Sequence, residues 1–230
     1  MVTAIIVAAG RGVRMGLPVK KQYLPLGDRP LLCRTLSAFS RHPEVSSLVL
    51  VAPEEDFPFL REQVLPFVSP QKPLALAPGG TERQDSVFSG LSMAPESCDI
   101  VLVHDGVRPF VEQSLISACI SEARAHGAAI AAIAASDTVK QGDEDGFVEK
   151  TLDRGRLWLT QTPQAFRLSL LLAAHREARE KGVRATDDAA LAEAMGLRVK
   201  IVPGSRANLK ITTVEDLGLA RAWLLHQEKG

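Results

Sequence analysis

The sequence predicts an α/β fold: a mostly parallel sheet with helices on both faces, plus one projecting β-hairpin. Three observations lead there. Continuous apolar runs at residues 3–9, 47–52, 100–104 and 128–134 have the length and composition of strands buried on both faces. Helix-length segments separate them, as in βαβ units of a parallel sheet. Charged, glycine-bearing loops follow the strands, and right-handed crossovers gather such loops along one sheet edge. Of the 230 residues 46% are hydrophobic and only 5% aromatic, which suits tightly packed helix-on-sheet layers in a single domain spanning 1–230.

The elements follow in order. Residues 3–9 form the first strand, which breaks into a loop carrying Arg11, Arg14, Lys20 and Lys21. A helix at 30–40 places Pro30 in its first turn, where proline is tolerated. A strand at 47–52 precedes a helix at 54–65, read through Pro58. A short strand at 74–77 leads to a helix at 83–93, then the strand 100–104 closed by DGVRPF. The helix 113–126 stops at Gly127, and 128–134 is the fifth strand. Residues 136–160 break this rhythm. They are charged and weakly alternating, with Asp145-Gly146 as a hairpin turn pair, and so long an excursion serves as a lid or an oligomer arm. Helices at 168–182 and 187–195, a strand at 197–202 and a helix at 214–227 complete the chain.

Composition excludes several classes of function. With 27 basic and 27 acidic residues the formal charge is zero, which argues against a nucleic-acid or membrane-surface partner. No apolar run approaches the ~18 residues of a membrane span, and no secretory leader pattern opens the chain. Cys33, Cys98 and Cys119 lack metal-ligand spacing and read as small buried residues of a reducing compartment. The expectation is a cytoplasmic protein.

Chemistry concentrates in the loops. In AAGRGVRMG, Gly10, Gly12 and Gly16 let the backbone turn its N–H groups toward an anion, and the basic side chains suit a polyphosphate. The glycine spacing fits neither GxGxxG nor a Walker A loop. GGTERQDS, 79–86, either reads a nucleobase edge through its backbone and Ser86, or is a capped helix start with Thr81 or Asp85 as cap. In HDGVRPF, Asp105 follows a strand and either holds Mg²⁺, for which one carboxylate is sufficient, or caps the next helix. Arg108 can meet an anionic group. His104 reads as structural, because a phosphate nucleophile is already an anion and needs no base. Lys210 precedes the last helix, whose cap is Thr212 or Thr213 with Glu215 and Asp216 in its first turn.

Taken together, AAGRGVRMG, KKQYLPL, GGTERQDSV, HDGVRPF, DTVK, LDRGRLWLTQTPQAF, ATDDA and NLKITTVEDL resemble the 2-C-methyl-D-erythritol 4-phosphate cytidylyltransferases of non-mevalonate isoprenoid synthesis. The first motif is shared with nucleotidyltransferases generally; the later ones are more specific. The resemblance implies a Rossmann-like nucleotide-diphospho-sugar transferase fold and transfer of CMP from CTP to methylerythritol phosphate with a divalent cation, Mg²⁺. It implies that Ala8, Ala9, Gly10 and Gly12 line the triphosphate, that Arg14 and Lys21 are catalytic, and that Gly80, Thr81 and Ser86 recognise cytosine. On the same basis Asp105 belongs near the metal, CTP and the acceptor, with Gly106 a backbone contact to nucleotide. Arg108, Thr138, Arg154, Thr162, Thr186 and Lys210 fall around the acceptor, Arg154 and Lys210 as phosphate anchors. The resemblance also implies a homodimer in which the 136–160 arm carries Arg154 into the neighbouring site. Register to Gln22 favours Lys21 over Lys20 as the catalytic lysine. Ribitol 5-phosphate is the rival acceptor, and a non-catalytic nucleotide-binding regulator is the rival of another class.

Overall fold

Alternation along the first strand sets up two cores. β1 (Val2–Val7) sends Val2, Ala4 and Ile6 to one face of the sheet and Ile5 to the other, all buried, because successive strand side chains project oppositely. The structure, a computed structural model, describes residues 1–10, 19–68 and 71–227. A tight hairpin of β2 (Pro25–Leu26) and β3 (Arg29–Pro30) leads into α1 (Leu31–Arg41) and β4 (Val45–Ala52). α2 (Phe57–Gln63), β5 (Leu74–Pro78), α3 (Arg83–Ser92), β6 (Ile100–Asp105), α4 (Gln113–His126) and β7 (Ala128–Ala134) follow. The arm holds β8 (Lys140–Gly142) and β9 (Val148–Thr151), after which come β10 (Trp158–Arg167), α5 (Leu168–Glu180), α6 (Asp188–Ala194), β11 (Lys200–Pro203) and α7 (Val214–Gln227).

The main sheet has seven strands in the order β11-β7-β10-β6-β1-β4-β5. Every neighbouring pair is parallel except those of β10 with β6 and β7. The chain leaves β1 for β4 and β5 on one side and crosses back to β6 on the other. β1 therefore marks the topological switch, where a crevice opens at the strand C-termini. Leu32, Leu36 and Phe39 of α1 and Ile116 and Ile120 of α4 cover one face; full burial of each such side chain is worth about 1.5–3 kcal/mol. Val87 of α3, Leu171 of α5 and Ala192 of α6 cover the other. α7 packs Leu217, Ala220 and Leu224 on Leu26, Val107 and Phe110.

Gly127 ends α4 as expected: at φ +88° it takes the left-handed conformation, and its N–H donates to Ala123 O at 2.8 Å. The start of α7 is capped from both directions. Asp216 accepts from the N–H groups of Thr212 and Thr213, and the Asp216 N–H donates to Thr213 Oγ1. All three cysteines are buried free thiols; burial pushes Cys33 up to about 11 and Cys119 up to about 12, values that suit packing rather than nucleophilic attack.

Four expectations need correction. The helix expected at 54–65 is a chain of short pieces, with α2 flanked by 3₁₀ turns at Glu54–Asp56 and Leu65–Phe67, because Pro58 and Pro66 each suit only a helical first turn. The arm is shorter than 136–160: Trp158–Arg167 leaves it to become the antiparallel strand of the main sheet. Pro163 hid this strand, and the ladder to β7 accommodates it by a register shift between Thr160 and Gln164. The N-cap of α3 is Glu82 rather than Thr81 or Asp85; the Asp85 carboxylate accepts from the Glu82 N–H at 3.4 Å as the return half of a capping box. The strand expected at 197–202 begins only at Lys200.

Candidate functional site

The loops after β1, β5 and β6 converge with Lys21 and Lys210 on one cleft of about 670 Å³. The first wall is Ala8, Ala9 and Gly10. Gln22, buried under this loop, donates from Nε2 to Ala8 O at 2.8 Å and to Gly10 O at 3.3 Å. One side chain thus holds two carbonyls of the same loop. Lys20 is drawn away from the cleft by Asp56 at 2.7 Å and Glu55 at 3.3 Å, whereas Lys21 lines it.

The second wall depends on two glycines. A Cβ on Gly79 would collide with Ala9 Cβ, so only glycine there lets the loops after β1 and β5 approach; one on Gly80 would collide with Asp85 Cβ, so glycine there lets the chain fold closely onto the start of α3. The Gly80 N–H donates to Ser86 Oγ at 3.0 Å, and the Ser86 hydroxyl donates to Glu82 O at 3.1 Å. Ser86 therefore shapes the turn that it helps to line.

Asp105 closes the cleft at the end of β6, and three cations surround it. Lys210 Nζ lies 2.9 Å from Oδ2, Arg108 Nε 3.5 Å from Oδ2 and Arg83 Nε 3.7 Å from Oδ1. Burial would raise the pKa of this carboxyl, but Lys210, Arg83 and Arg108 outweigh it and hold the group well below the usual carboxylate range. The backbone N–H of Asp105 donates to Thr162 Oγ1 at 3.0 Å. Arg83 is itself held from behind: Nη1 lies 2.8 Å from Asp188 Oδ2, whose other oxygen is 3.1 Å from His175 Nε2. Asp188 is 1% exposed; burial opposes its charge, yet Arg83 and His175 keep its pKa below the ordinary value. Gln164 fixes this carboxylate's helix, accepting from the Asp188 and Ala189 N–H groups and donating to Asp187.

Of the residues singled out in the sequence, Ala8, Ala9, Gly10, Lys21, Gly80, Thr81, Ser86, Asp105 and Lys210 line the cleft together. Gly12 and Arg14 lie outside the described residues. Gly106 is packed behind Ala8, with its carbonyl accepting from Thr35 Oγ1 at 2.9 Å. Arg108 is buried behind Asp105, and its Nη1 donates to Asn208 O at 2.7 Å. Thr162 is buried against Asp105, and Thr186 is exposed just before Asp187, the N-cap of α6. Thr138 and Arg154 sit on the arm, where Arg154 Nη1 donates to Ser136 O at 2.8 Å. His104 is fully buried, with Nε2 3.1 Å from Arg108 O, and burial pulls its pKa down to about 4. It is a neutral packing group. Sequence reasoning missed Asp188, His175 and the clamp by Gln22; ATDDA and KKQ were visible as motifs, but nothing local pairs Asp188 with an arginine 105 positions away.

Chemically, the cleft offers glycine backbone on one side and an ionised carboxylate among cations on the other, an arrangement for a polyanion. Comparison with known proteins agrees with this. The IspD family model, described as 2-C-methyl-D-erythritol 4-phosphate cytidylyltransferase, matches residues 2–226. A protein of that name from Desulforamulus reducens is 48% identical over 223 residues, covering 97% of this chain and 95% of its own. A bifunctional enzyme IspD/IspF from Desulforudis audaxviator is 50% identical over 96% of this chain and 56% of its own length. The crystal structure of 4-diphosphocytidyl-2C-methyl-D-erythritol synthase from Anaerococcus prevotii is similar at a TM-score of 0.86 and 34% identity, over 97% of this chain and 98% of that one. That of 2-C-methyl-D-erythritol 4-phosphate cytidylyltransferase from Thermus thermophilus is similar at 0.79 and 33%, over 97% and 98%.

Proposed function

The chain belongs to the 2-C-methyl-D-erythritol 4-phosphate cytidylyltransferase family of CTP-dependent enzymes, and on that premise we propose its reaction and the division of labour in its cleft. An oxygen of the methylerythritol 4-phosphate monoester attacks the α-phosphorus of CTP in line. The bond from that phosphorus to the β-phosphate bridging oxygen breaks, giving 4-diphosphocytidyl-2-C-methylerythritol and pyrophosphate. The observation that carries this reading is the convergence of Ala8–Gly10, Gly80, Ser86, Lys21 and the Asp105–Lys210 pair on one cleft.

The backbone of Ala8, Ala9, Gly10 and Gly12 cradles the triphosphate. Lys21 and Arg14 stabilise the charge that builds on the α-phosphoryl oxygens. Gly80, Thr81 and Ser86 read the cytosine edge. Lys210 leaves its contact with Asp105 to share its charge with the acceptor phosphate; Arg108 and Thr162 hold Asp105 in place from behind, and Thr186 lies at the acceptor end. The donor set suits Mg²⁺ in one way: Asp105 presents an ionised carboxylate, an oxygen ligand of the kind this ion takes. Such an ion takes most of its ligands from phosphate oxygens and water; Asp105 would hold it, and it would neutralise triphosphate charge there.

The arm completes the site from a second subunit. Phe147 and Val148 on the arm, and Trp158 and Leu159 at the adjoining start of β10, are exposed, Phe147 by 72%, and neither Thr138 nor Arg154 lines the cleft of its own chain. A homodimer that covers those apolar groups and delivers Arg154 to the neighbouring acceptor phosphate accounts for both facts. A cytoplasmic setting fits the free buried cysteines and the absence, among the described residues, of a helix long and apolar enough to cross a membrane.

The test is pyrophosphate release by purified protein with CTP and Mg²⁺, comparing methylerythritol 4-phosphate with ribitol 5-phosphate. Release with the former alone is expected. Release with the latter alone would keep the fold and move the protein to another acceptor; release with neither would remove the catalytic reading.

A further inference from the structure

Behind the cleft wall, a row of side chains leads inward from Asp105 to a residue with no access to solvent. Arg83, the first residue of α3, lines the cleft with 29% of its side chain accessible. Its Nε faces Asp105 Oδ1 at 3.7 Å, and its Nη1 donates to Asp188 Oδ2 at 2.8 Å. Asp188, the first residue of α6, is buried, and its other oxygen lies 3.1 Å from Nε2 of His175 on α5, which is buried too. An ionised carboxylate can only accept, so His175 Nε2 is the donor of this bond. The His175 Nδ1 has no hydrogen-bond partner among the described residues.

Stability does not account for this row. The elements around it supply an apolar layer, with Val87 of α3, Leu171 of α5 and Ala189 and Ala192 of α6 in one cluster. Replacing a buried ion pair by apolar groups of similar volume is often neutral or stabilising. What the row supplies is geometry. The backbone of Asp188 is fixed by Gln164, whose Oε1 accepts from the Asp188 and Ala189 N–H groups at 3.2 and 3.3 Å. Gln84, next to Arg83, donates to Val183 O and accepts from the Ala185 N–H, both at 3.2 Å. These bonds fasten the segment carrying Thr186 against the start of α3. The guanidinium is therefore held by Asp188 and only leans toward Asp105. It carries five donors, and the two carboxylates engage Nε and Nη1, which leaves capacity for an acceptor atom in the cleft.

We propose that His175 and Asp188 are positioning residues for the reaction, holding Arg83 where the nucleotide and acceptor walls meet so that it binds an oxygen of the acceptor phosphate monoester. Arg83 stands three residues from both Gly80 and Ser86, while Asp188, its anchor, follows Thr186 by two. Lys210 and Arg108 face the opposite oxygen of Asp105, so Arg83 brings a cation to the other side, and a phosphate monoester is the anion such a fork suits. Without Asp188 the guanidinium would close on Asp105 and be lost to the substrate. His175 touches no substrate; it acts by holding Asp188. What Arg83 meets follows from the reaction proposed above, whereas what holds it does not depend on that reaction.

The full chain, isotope-labelled at arginine nitrogen, reports the positioning without turnover. The Arg83 Nε–H signal, assigned by its loss in Arg83→Met/Asp188→Asn, should move in Asp188→Asn and in His175→Leu. It should return in His175→Gln, whose amide N–H stands in for that of Nε2. In pyrophosphate release, the KM for methylerythritol 4-phosphate should rise by about tenfold or more in Asp188→Asn and about fivefold in His175→Leu, with the KM for CTP within about twofold of wild type. His175→Gln should recover most of that loss. Adding His175→Leu to the double variant, which buries neither charge, should change the acceptor KM by less than about twofold, because nothing remains for it to position. Loss of packing alone would lower kcat through the folded fraction and leave both KM values unchanged; thermal unfolding reports that fraction. An Arg83 signal unmoved in Asp188→Asn would overturn the positioning. A His175→Gln variant as defective as His175→Leu, a defect in kcat alone, or a further loss from His175→Leu in the double variant would overturn its part in the reaction. A wild type that releases no pyrophosphate would remove the reaction itself and leave the Arg83 signal to decide the positioning.

Discussion

Lys210→Met isolates what one cation does for the cleft. The ammonium lies 2.9 Å from Asp105 Oδ2, with the lysine side chain 40% exposed and the carboxylate 11%. Removing one partner of a fully buried ion pair costs about 3–5 kcal/mol, whereas an exposed pair is worth about 0–1. Lys210 lies between these limits, and Asp105 keeps Arg108 at 3.5 Å and Arg83 at 3.7 Å. The loss of stability should therefore be about 1–2 kcal/mol, or about 2–8 °C in Tm for a chain of this size.

The catalytic loss should be larger. A charge that also meets the acceptor phosphate in the transition state is worth about 2–4 kcal/mol, so kcat/KM for the acceptor should fall by about 30- to 1,000-fold. The assay is pyrophosphate release with each substrate varied in turn, alongside thermal unfolding. An acceptor kcat/KM within about threefold of wild type, or a defect confined to CTP, would refute the reasoning. The pH dependence adds a sign. Burial tends to raise the Asp105 pKa, but Lys210, Arg83 and Arg108 outweigh it and depress it. The pair's contribution is then complete above the unfolded value of about 3.9 and is lost as pH falls through the folded value. The Tm gap between variant and wild type should stay constant near neutrality and close only in strong acid.

Three other perturbations probe separate parts of the structure. Gly79→Ala puts a methyl group into Ala9 and should cost about 1–3 kcal/mol while raising the KM for CTP; a variant with wild-type stability and KM would show that the two loops need not touch. His104, pulled down to about 4 by burial, must stay neutral in the fold, so its contribution is full above about pH 6.5 and fades as pH falls toward 4, by about 2 kcal/mol between pH 7 and 5. Urea midpoints at those two pH values should show that slope in wild type and a flatter one in His104→Phe; identical slopes would assign it elsewhere. Mixing Arg154→Ala with Lys21→Ala subunits should restore part of the activity that each homogeneous variant lacks, if the arm serves the neighbouring site, and no recovery would argue for sites built within single chains.

Much of the site was legible because its parts are local. Ala8–Gly10, Gly79–Gly80 and Asp105 each sit at the end of an apolar run, and parallel topology brings such ends to one edge. From its spacing Lys210 was only a lysine before a helix, and the family resemblance alone made it a phosphate anchor; its 2.9 Å approach to Asp105 links positions far apart in the chain. β10 was lost because Pro163 reads as a break, and the sheet tolerates it only through a register shift.

The amino-acid order by itself determined most of the strands and helices, the glycine stop of α4, and which loops carry phosphate-directed chemistry. Those are consequences of hydrophobic period and turn stereochemistry, which act over a few residues. Only the tertiary structure decided that Arg83 stands between Asp105 and Asp188 and that Arg108 is held behind the cleft. Such groupings leave no periodic trace in the chain. They exist because packing two helical layers onto one sheet forces distant charged groups into shared, poorly solvated space, where each must find a partner.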